Sequence, residues 1–178
     1  MEAKHRARSL TLRYVTLEDR IEWLSHCENN ITVSAWVSRR LLIELLPQLF
    51  EWLGKNNEQQ LPTKASGRTA SEKTHIHRFD HEIAQRQVKA VAVKLPKASK
   101  TEQFLLRHMD FKATKTGVII GLAAEKNSTL VAFSASLPET HKVIGELLRV
   151  SNDAGWEVPN PWYASSGQSS EAVLESIH

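Results

Sequence analysis

The chain has 178 residues, of which 41% are hydrophobic and 24% charged, with a net charge of +3 and one cysteine. A chain of this length buries enough apolar surface to fold as one domain, residues 1–178, without a disulfide or a structural metal. The lone Cys27 excludes an intramolecular disulfide and a multi-cysteine zinc site, and it is typical of a reducing compartment. Composition therefore predicts a globular cytoplasmic protein.

Membrane and export signals are not evident. A membrane span needs about 18 consecutive apolar residues, and the most apolar stretch, Leu41–Leu53, is shorter and contains Glu44, Pro47 and Glu51. The charged N-terminus is followed by alternating polar and apolar residues, not by the apolar core of a signal peptide. We therefore expect no membrane contact.

The first elements form a predicted hairpin followed by a helix. Ser9–Val15 and Arg20–Cys27 alternate with a period of two, which indicates two antiparallel strands. Asn30 or Thr32 is a suitable helix cap. The next segment, from Val33 to about Lys55, has apolar residues at three- and four-residue intervals and predicts a long amphipathic helix.

Two residues shape that helix. Pro47 lies in its interior, which predicts a kink, and Gly54 marks its end. The apolar arc looks wider than one sheet needs, so we expect the uncovered edge to contact a second helix or a second subunit.

The middle of the chain is polar. Residues 56–71 contain hardly any apolar side chain, which predicts a mobile loop. Thr69 and Glu72 have the spacing of a capping box, so a peripheral helix follows to about Gln87. Residues 88–95 fit either a strand or a continuation of that helix, and Pro96 ends both.

Three strands and a helix are predicted in the second half. Thr101–Lys112, Gly117–Glu125 and Thr129–Ala135 are separated by short polar connections, which favours an antiparallel meander. Ser136 and Glu139, with a proline between them, start a helix that ends at Gly155. Residues 164–178 are Ser-rich and predict a frayed tail.

The predicted fold class is α+β. One mainly antiparallel twisted sheet, made of the N-terminal hairpin and the C-terminal meander, is packed by the long kinked helix and the C-terminal helix, with the mobile loop and the peripheral helix in the middle. No internal repeat is apparent at a fixed period.

A histidine cluster is a candidate metal site. On a helix, His77 and His81 project from one face four residues apart, and with His75 they have donors suited to Zn²⁺, Ni²⁺ or Cu²⁺. No HExxH motif or second cysteine completes a familiar ligand set. Exposed polar residues on a surface helix explain the pattern better.

Basic residues suggest two anion sites. Residues 55–100 carry 10 basic and 4 acidic side chains, and such clustering binds phosphates in nucleic acid. The candidate contacts are Lys64, Arg68, Lys73, Arg78, Lys89 and Lys94. Arg39 and Arg40, at the start of the long helix, are a second candidate for a bound anion, although a solvated surface explains both groups as well.

The favoured function is a non-catalytic binding or assembly protein, expected to be a homodimer through the long helix or a sheet edge. The alternatives are a nucleic-acid-binding protein that uses residues 55–100, and a metal protein or enzyme that uses the histidine cluster. Phosphate-loop and dinucleotide motifs do not occur, so no cofactor is expected.

Overall fold

The computed structural model describes residues 2–60, 70–88 and 100–160, within which the chain forms seven strands and three α-helices. The strands are β1 (His5–Val15), β2 (Arg20–Cys27), β3 (Ile31–Val37), β4 (Lys100–Leu105), β5 (His108–Ala113), β6 (Gly117–Glu125) and β7 (Ser128–Ser136). The helices are α1 (Arg39–Gln60), α2 (Ala70–Gln87) and α3 (Leu137–Asp153). The fold class is therefore α+β.

All seven strands belong to one sheet, in the order β4-β3-β2-β1-β7-β6-β5. Neighbours within β1–β2–β3 and within β5–β6–β7 are antiparallel, whereas β1 pairs with β7 and β3 with β4 in parallel. The sheet is thus mixed, and the expectation of a mainly antiparallel twisted sheet is corrected. Both parallel pairs join residues far apart in sequence, so local strand patterns do not reveal them.

The sheet curls into a half-barrel because its two edge strands are joined by only two residues. Leu106 donates its N–H to the Trp36 carbonyl (3.0 Å) and extends the β3–β4 ladder. Arg107 donates to the Ala123 carbonyl (3.1 Å) and extends the β5–β6 ladder. Two residues span at most about 7 Å, so opposite edges of the sheet meet here. The single strand predicted over residues 101–112 is therefore two strands, each paired on a different side.

Strand β3 replaces the predicted start of the long helix. Val33, Ala35 and Val37 face the core and are buried, while Thr32 and Trp36 on the opposite face are half-buried, which is the period of a strand. The helix begins after Ser38, whose Oγ accepts the Leu41 N–H at 3.3 Å. The apolar residues of β3 continue the three- and four-residue spacing of α1. The sequence pattern therefore predicted one helix where the structure has a strand and a helix.

The structure repeats one topology twice, a three-stranded antiparallel meander followed directly by a helix. Ser38 caps α1 and Ser136 caps α3, each accepting the backbone N–H three residues on. The buried positions recur at equal distances from the two caps, namely Leu42, Leu45, Leu46, Leu49 and Leu53 in α1 and Thr140, Val143, Ile144, Leu147 and Ser151 in α3. The capping box predicted at Ser136 and Glu139 is confirmed.

Helices α1 and α3 pack on the inner face of the curled sheet, and α2 packs mainly on α3. An aromatic ring in or directly after each of these two sheet-packed helices contacts an aromatic ring of a strand. Trp52 of α1 lies 6.0 Å from Phe111 of β5, between ring centroids, and Trp156 after α3 lies 5.9 Å from Tyr14 of β1. The Trp156 indole also donates to Asp19 in the β1–β2 turn (3.1 Å).

The edge of α1 that was expected to contact a second helix or a second subunit is partly covered within the chain: Leu41, Ile43 and Trp52 are half-buried, and His77 of α2 lies against Gly54. The exposed large hydrophobic side chains of the described residues are Leu17, Phe79 and Leu105, none of which belongs to α1. Helix α1 continues through Pro47 to Gln60, into the segment expected as a loop, and α2 starts at Ala70. The rest of that loop, residues 61–69, together with residues 89–95 and the tail 164–178, lies outside the described residues.

Close backbone packing between β6 and β7 should make Gly117 intolerant of a side chain. A Cβ there would lie 2.1 Å from the Ala135 carbonyl oxygen, and backbone cannot move aside cheaply. We expect Gly117→Ala to lower the free energy of unfolding by about 1–3 kcal/mol, measured by urea denaturation. Gly54→Ala is the control, because its Cβ would meet only ordinary contact at 3.5 Å and alanine favours a helix by about 1 kcal/mol. Equal stability of both variants would contradict the packing described.

Candidate functional site

The three histidines of the predicted metal site have different surroundings. His75 is exposed, His77 is half-buried against Gly54 of α1, and His81 is buried. His81 lies beside His141 of α3, with 5.7 Å between ring centroids. Within residues 2–60, 70–88 and 100–160, no group of three or more His, Cys, Asp or Glu side chains is placed to hold a metal ion.

His81 and His141 belong to the interface between α2 and α3. Gln85 of α2 donates its amide N–H to the His141 carbonyl (3.0 Å), and Lys142 donates to the Gln85 amide oxygen (3.0 Å). Burial lowers the pKa of His81 to about 4, and burial together with the neighbouring His81 and His77 lowers that of His141 to about 4. Both rings are therefore neutral at pH 7. Sequence reasoning missed His141, whose only signal is its place on the buried stripe of α3.

The two buried imidazoles make stability depend on pH. Unfolding returns each ring to its ordinary pKa of 6.5, so between pH 6.5 and about 4 the unfolded chain binds protons that the folded chain does not. The stability is complete above pH 6.5, and we expect it to fall by about 1–3 kcal/mol as the pH drops to 4. Urea denaturation across this range measures the slope. His141→Asn should flatten the slope, whereas exposed His75→Asn should leave it unchanged; an unaltered slope in both variants would contradict the assignment.

Cys27 is a buried thiol and not an activated nucleophile. Burial, Glu102 and Glu28 raise its pKa to about 11. Glu102 is held as a carboxylate by Lys4 (2.8 Å) and Lys100 (3.0 Å), with His5 Nε2 at 3.2 Å, and these partners lower its pKa to about 2. The negative charge of Glu102 is therefore permanent, and it helps to keep the nearby thiol protonated.

The predicted anion site at Arg39 and Arg40 is exposed and partly neutralised. Arg40 donates to Glu44 one turn on in α1 (3.1 Å). Hydrogen bonds from Tyr14 and Trp156 lower the pKa of Asp19, and the charge of Arg39 contributes to the same shift. Both arginines therefore have carboxylates in their surroundings already.

The basic residues predicted to bind nucleic acid are not brought together in the described structure. Lys64, Arg68, Lys89 and Lys94 lie outside the described residues, as does the side chain of Lys73 in α2. Arg78 donates to Glu82 on the same helix (3.0 Å). The structure leaves this part of the prediction untested.

A different basic surface lies on the outer face of the sheet, the side opposite α1 and α3. Arg6, Arg8 and Arg13 of the central strand β1 point to this face, and Arg20 of β2 lies beside the end of β1. We call these four residues the arginine cluster. The described residues place no carboxylate within salt-bridge distance of Arg6 or Arg20, and the Arg8–Glu28 distance is 4.0 Å.

On the helices the cations are arranged differently. Among the described residues, five basic side chains of the helices contact a carboxylate one turn away. The pairs are Arg40–Glu44, Lys55–Glu51, Arg78–Glu82, Lys142–Glu146 and Arg149–Asp153. Such pairs cancel charge locally. On the outer face Arg13 pairs with Glu22 and Arg8 lies 4.0 Å from Glu28, so Arg6 and Arg20 are the cluster members for which the described residues provide no such carboxylate.

The outer face also carries ordered rows of side chains across four strands. From β4 to β1, the rows that the register defines are Leu105, Trp36, Glu22 and Arg13; Gln103, Ser34, Leu24 and Thr11; and Thr101, Thr32, His26 and Ser9. Three of these side chains are large and apolar, and none of the three belongs to the hydrophobic core. A partner that contacts this face would meet apolar and hydroxyl groups beside the arginines.

Glu22 is the one acidic residue in these rows, and it is buried. Its carboxylate accepts hydrogen bonds from Ser34 Oγ (2.5 Å) and Arg13 Nε (2.5 Å). These partners compensate the loss of solvation. The pair orients the Arg13 guanidinium, and the opposite charges of Glu22 and Arg13 offset each other, so Arg13 adds hydrogen-bond donors but little net charge to this face.

No protein-family model, curated protein or solved structure matches the chain. Among the described residues, no helix combines the length and the hydropathy needed to cross a membrane. Function is therefore inferred from the residues themselves.

Proposed function

We propose that the chain is a non-catalytic cytoplasmic binding protein whose ligand is nucleic acid, held through its phosphates by the arginine cluster. The supporting observation is the arrangement of Arg6, Arg8, Arg13 and Arg20 on one sheet face. The acidic residues of that face in the described strands are the buried Glu22 and, at the far edge, Asp110. This is the charge pattern that a polyanion complements.

Residue type favours phosphate over other anions. All four cations are arginines, whose planar guanidinium donates two parallel hydrogen bonds to a phosphate. Exposed Thr11 lies between them on β1 and adds a neutral donor of the kind that positions a phosphate backbone. The surface thus offers both charge and directed hydrogen bonds.

The alternatives have less support. An assembly role through α1 depended on an uncovered apolar edge. The side chains at the margins of the arc are half-buried within one protomer, namely Leu41, Ile43, Phe50 and Trp52. A metal protein or enzyme would need His75, His77 and His81 in one site, and His75 is exposed whereas His81 is buried beside His141. The arginine cluster has neither weakness.

Removing two guanidiniums that contact no carboxylate of the described residues should weaken binding without affecting the fold. We expect the double variant Arg6→Ala/Arg20→Ala to bind a fluorescent oligonucleotide at least 10-fold more weakly at 50 mM salt, and to lose about two units from the slope of log K against log salt. Fluorescence anisotropy across a salt series measures both quantities. Arg13 is left in place because it stabilises Glu22.

The matched control is Arg149→Ala, which removes one exposed arginine from α3 on the opposite side of the molecule. It should bind as the wild-type protein does. Salt-independent binding by the wild type, no binding to any oligonucleotide, or an equal effect of the control would overturn the proposed function.

A further inference from the structure

We infer that the nucleic acid bound at this face is single-stranded, with its bases on an apolar platform formed by Leu24, Trp36 and Leu105. This inference rests on the proposed function and adds the class of ligand. The platform spans β2, β3 and β4, next to the arginine-bearing strand β1. A phosphate held on β1 leaves its base free to reach across the neighbouring strands.

The strand register sets the distance between the apolar platform and the arginines of β1. Trp36 lies directly between Leu105 and Glu22 in one row, and Arg13 follows on the next strand. Neighbouring strands are about 4.8 Å apart, so Trp36 is about 10 Å from Arg13 along the row. Phosphate contact and base contact can therefore occur within one nucleotide.

The platform is apolar where soluble proteins usually place polar groups. Trp36 is half-buried, and Leu105 is 38% exposed. Both lie outside the hydrophobic core cluster. An aromatic ring at a basic surface stacks on bases of any sequence, and such stacking is a main source of single-strand affinity.

Polar groups around the platform match the edges of unpaired bases. Gln103 and Thr101 of β4 are exposed on the same face, one and two rows away from Trp36. Amide and hydroxyl groups hydrogen-bond base edges that a single strand leaves open. In a duplex those edges are paired and the base faces are stacked, so the platform would have nothing to contact.

The buried Glu22 is compatible with a phosphate nearby. Its two hydrogen bonds, from Ser34 and Arg13, satisfy the carboxylate and offset its charge. An unpaired carboxylate beside Trp36 in the same row would otherwise repel the ligand.

Three probes of equal length separate base contacts from phosphate contacts: a single strand, its duplex, and a strand whose sugars carry no bases. We expect the single strand to bind wild-type protein at least 10-fold more tightly than either of the others. Trp36→Ala should weaken single-strand binding about 10- to 100-fold without changing the salt slope. Trp36→Phe should retain most of the affinity because a ring remains.

Leu105→Gln and Leu17→Gln form a matched pair, since both remove an exposed leucine but Leu17 lies in the β1–β2 turn. The first should weaken single-strand binding and the second should not. Ultraviolet crosslinking of a bromouracil-substituted strand to wild-type protein needs no variant, and it should attach the strand to β3 or β4 peptides.

The outcomes distinguish the two proposals. Equal affinity for all three probes, or crosslinks confined to other elements, would overturn the single-strand inference, while a continued effect of Arg6→Ala/Arg20→Ala would leave the proposed function standing. If the arginine variant binds as the wild type does, the proposed function itself fails.

Discussion

The junction at Leu106 and Arg107 determines the shape on which the rest of the structure depends. Two adjacent residues hydrogen-bond to strands at opposite ends of the sheet order, so the sheet must curl until its edges meet. The curled sheet has an inner face, on which α1 and α3 pack, and an outer face, which neither of these two helices contacts. Hydrophobic side chains are therefore buried on the inner face, and polar and charged side chains lie on the outer face.

The duplicated topology explains how the curl is built. In the first half, one strand contacts both halves: β1 pairs with β2 from Ala7 onwards and with β7 over His5–Ala7. In the second half, two successive strands do so: β4 pairs with β3 of the first half, and β5 pairs with β6. The two parallel contacts join the halves into one sheet. The helices that follow the last strands then bury equivalent positions.

Local signals in the sequence were sufficient for elements but not for their assembly. The capping box at Ser136, the hairpin from Ser9 to Cys27 and the strand over Gly117–Glu125 depend on neighbouring residues, and each is present. Strand β3 was missed because its Val and Trp residues continue the helical spacing of α1. The parallel pairs and the two-residue junction depend on residues about 70 to 125 positions apart, which no local pattern encodes.

The same limit applies to the candidate site. Counting charge along the chain pointed to residues 55–100, because basic residues are dense there. The arginines of β1 and β2 lie among acidic residues in sequence, namely Glu18, Asp19, Glu22 and Glu28. In the structure Asp19 binds Tyr14 and Trp156, and Glu22 is buried against Ser34 and Arg13. Glu22 offsets one arginine, Arg13, and Asp19 is bound by neutral donors at the β1–β2 turn, so Arg6 and Arg20 remain as basic groups of a segment whose charge is balanced in sequence.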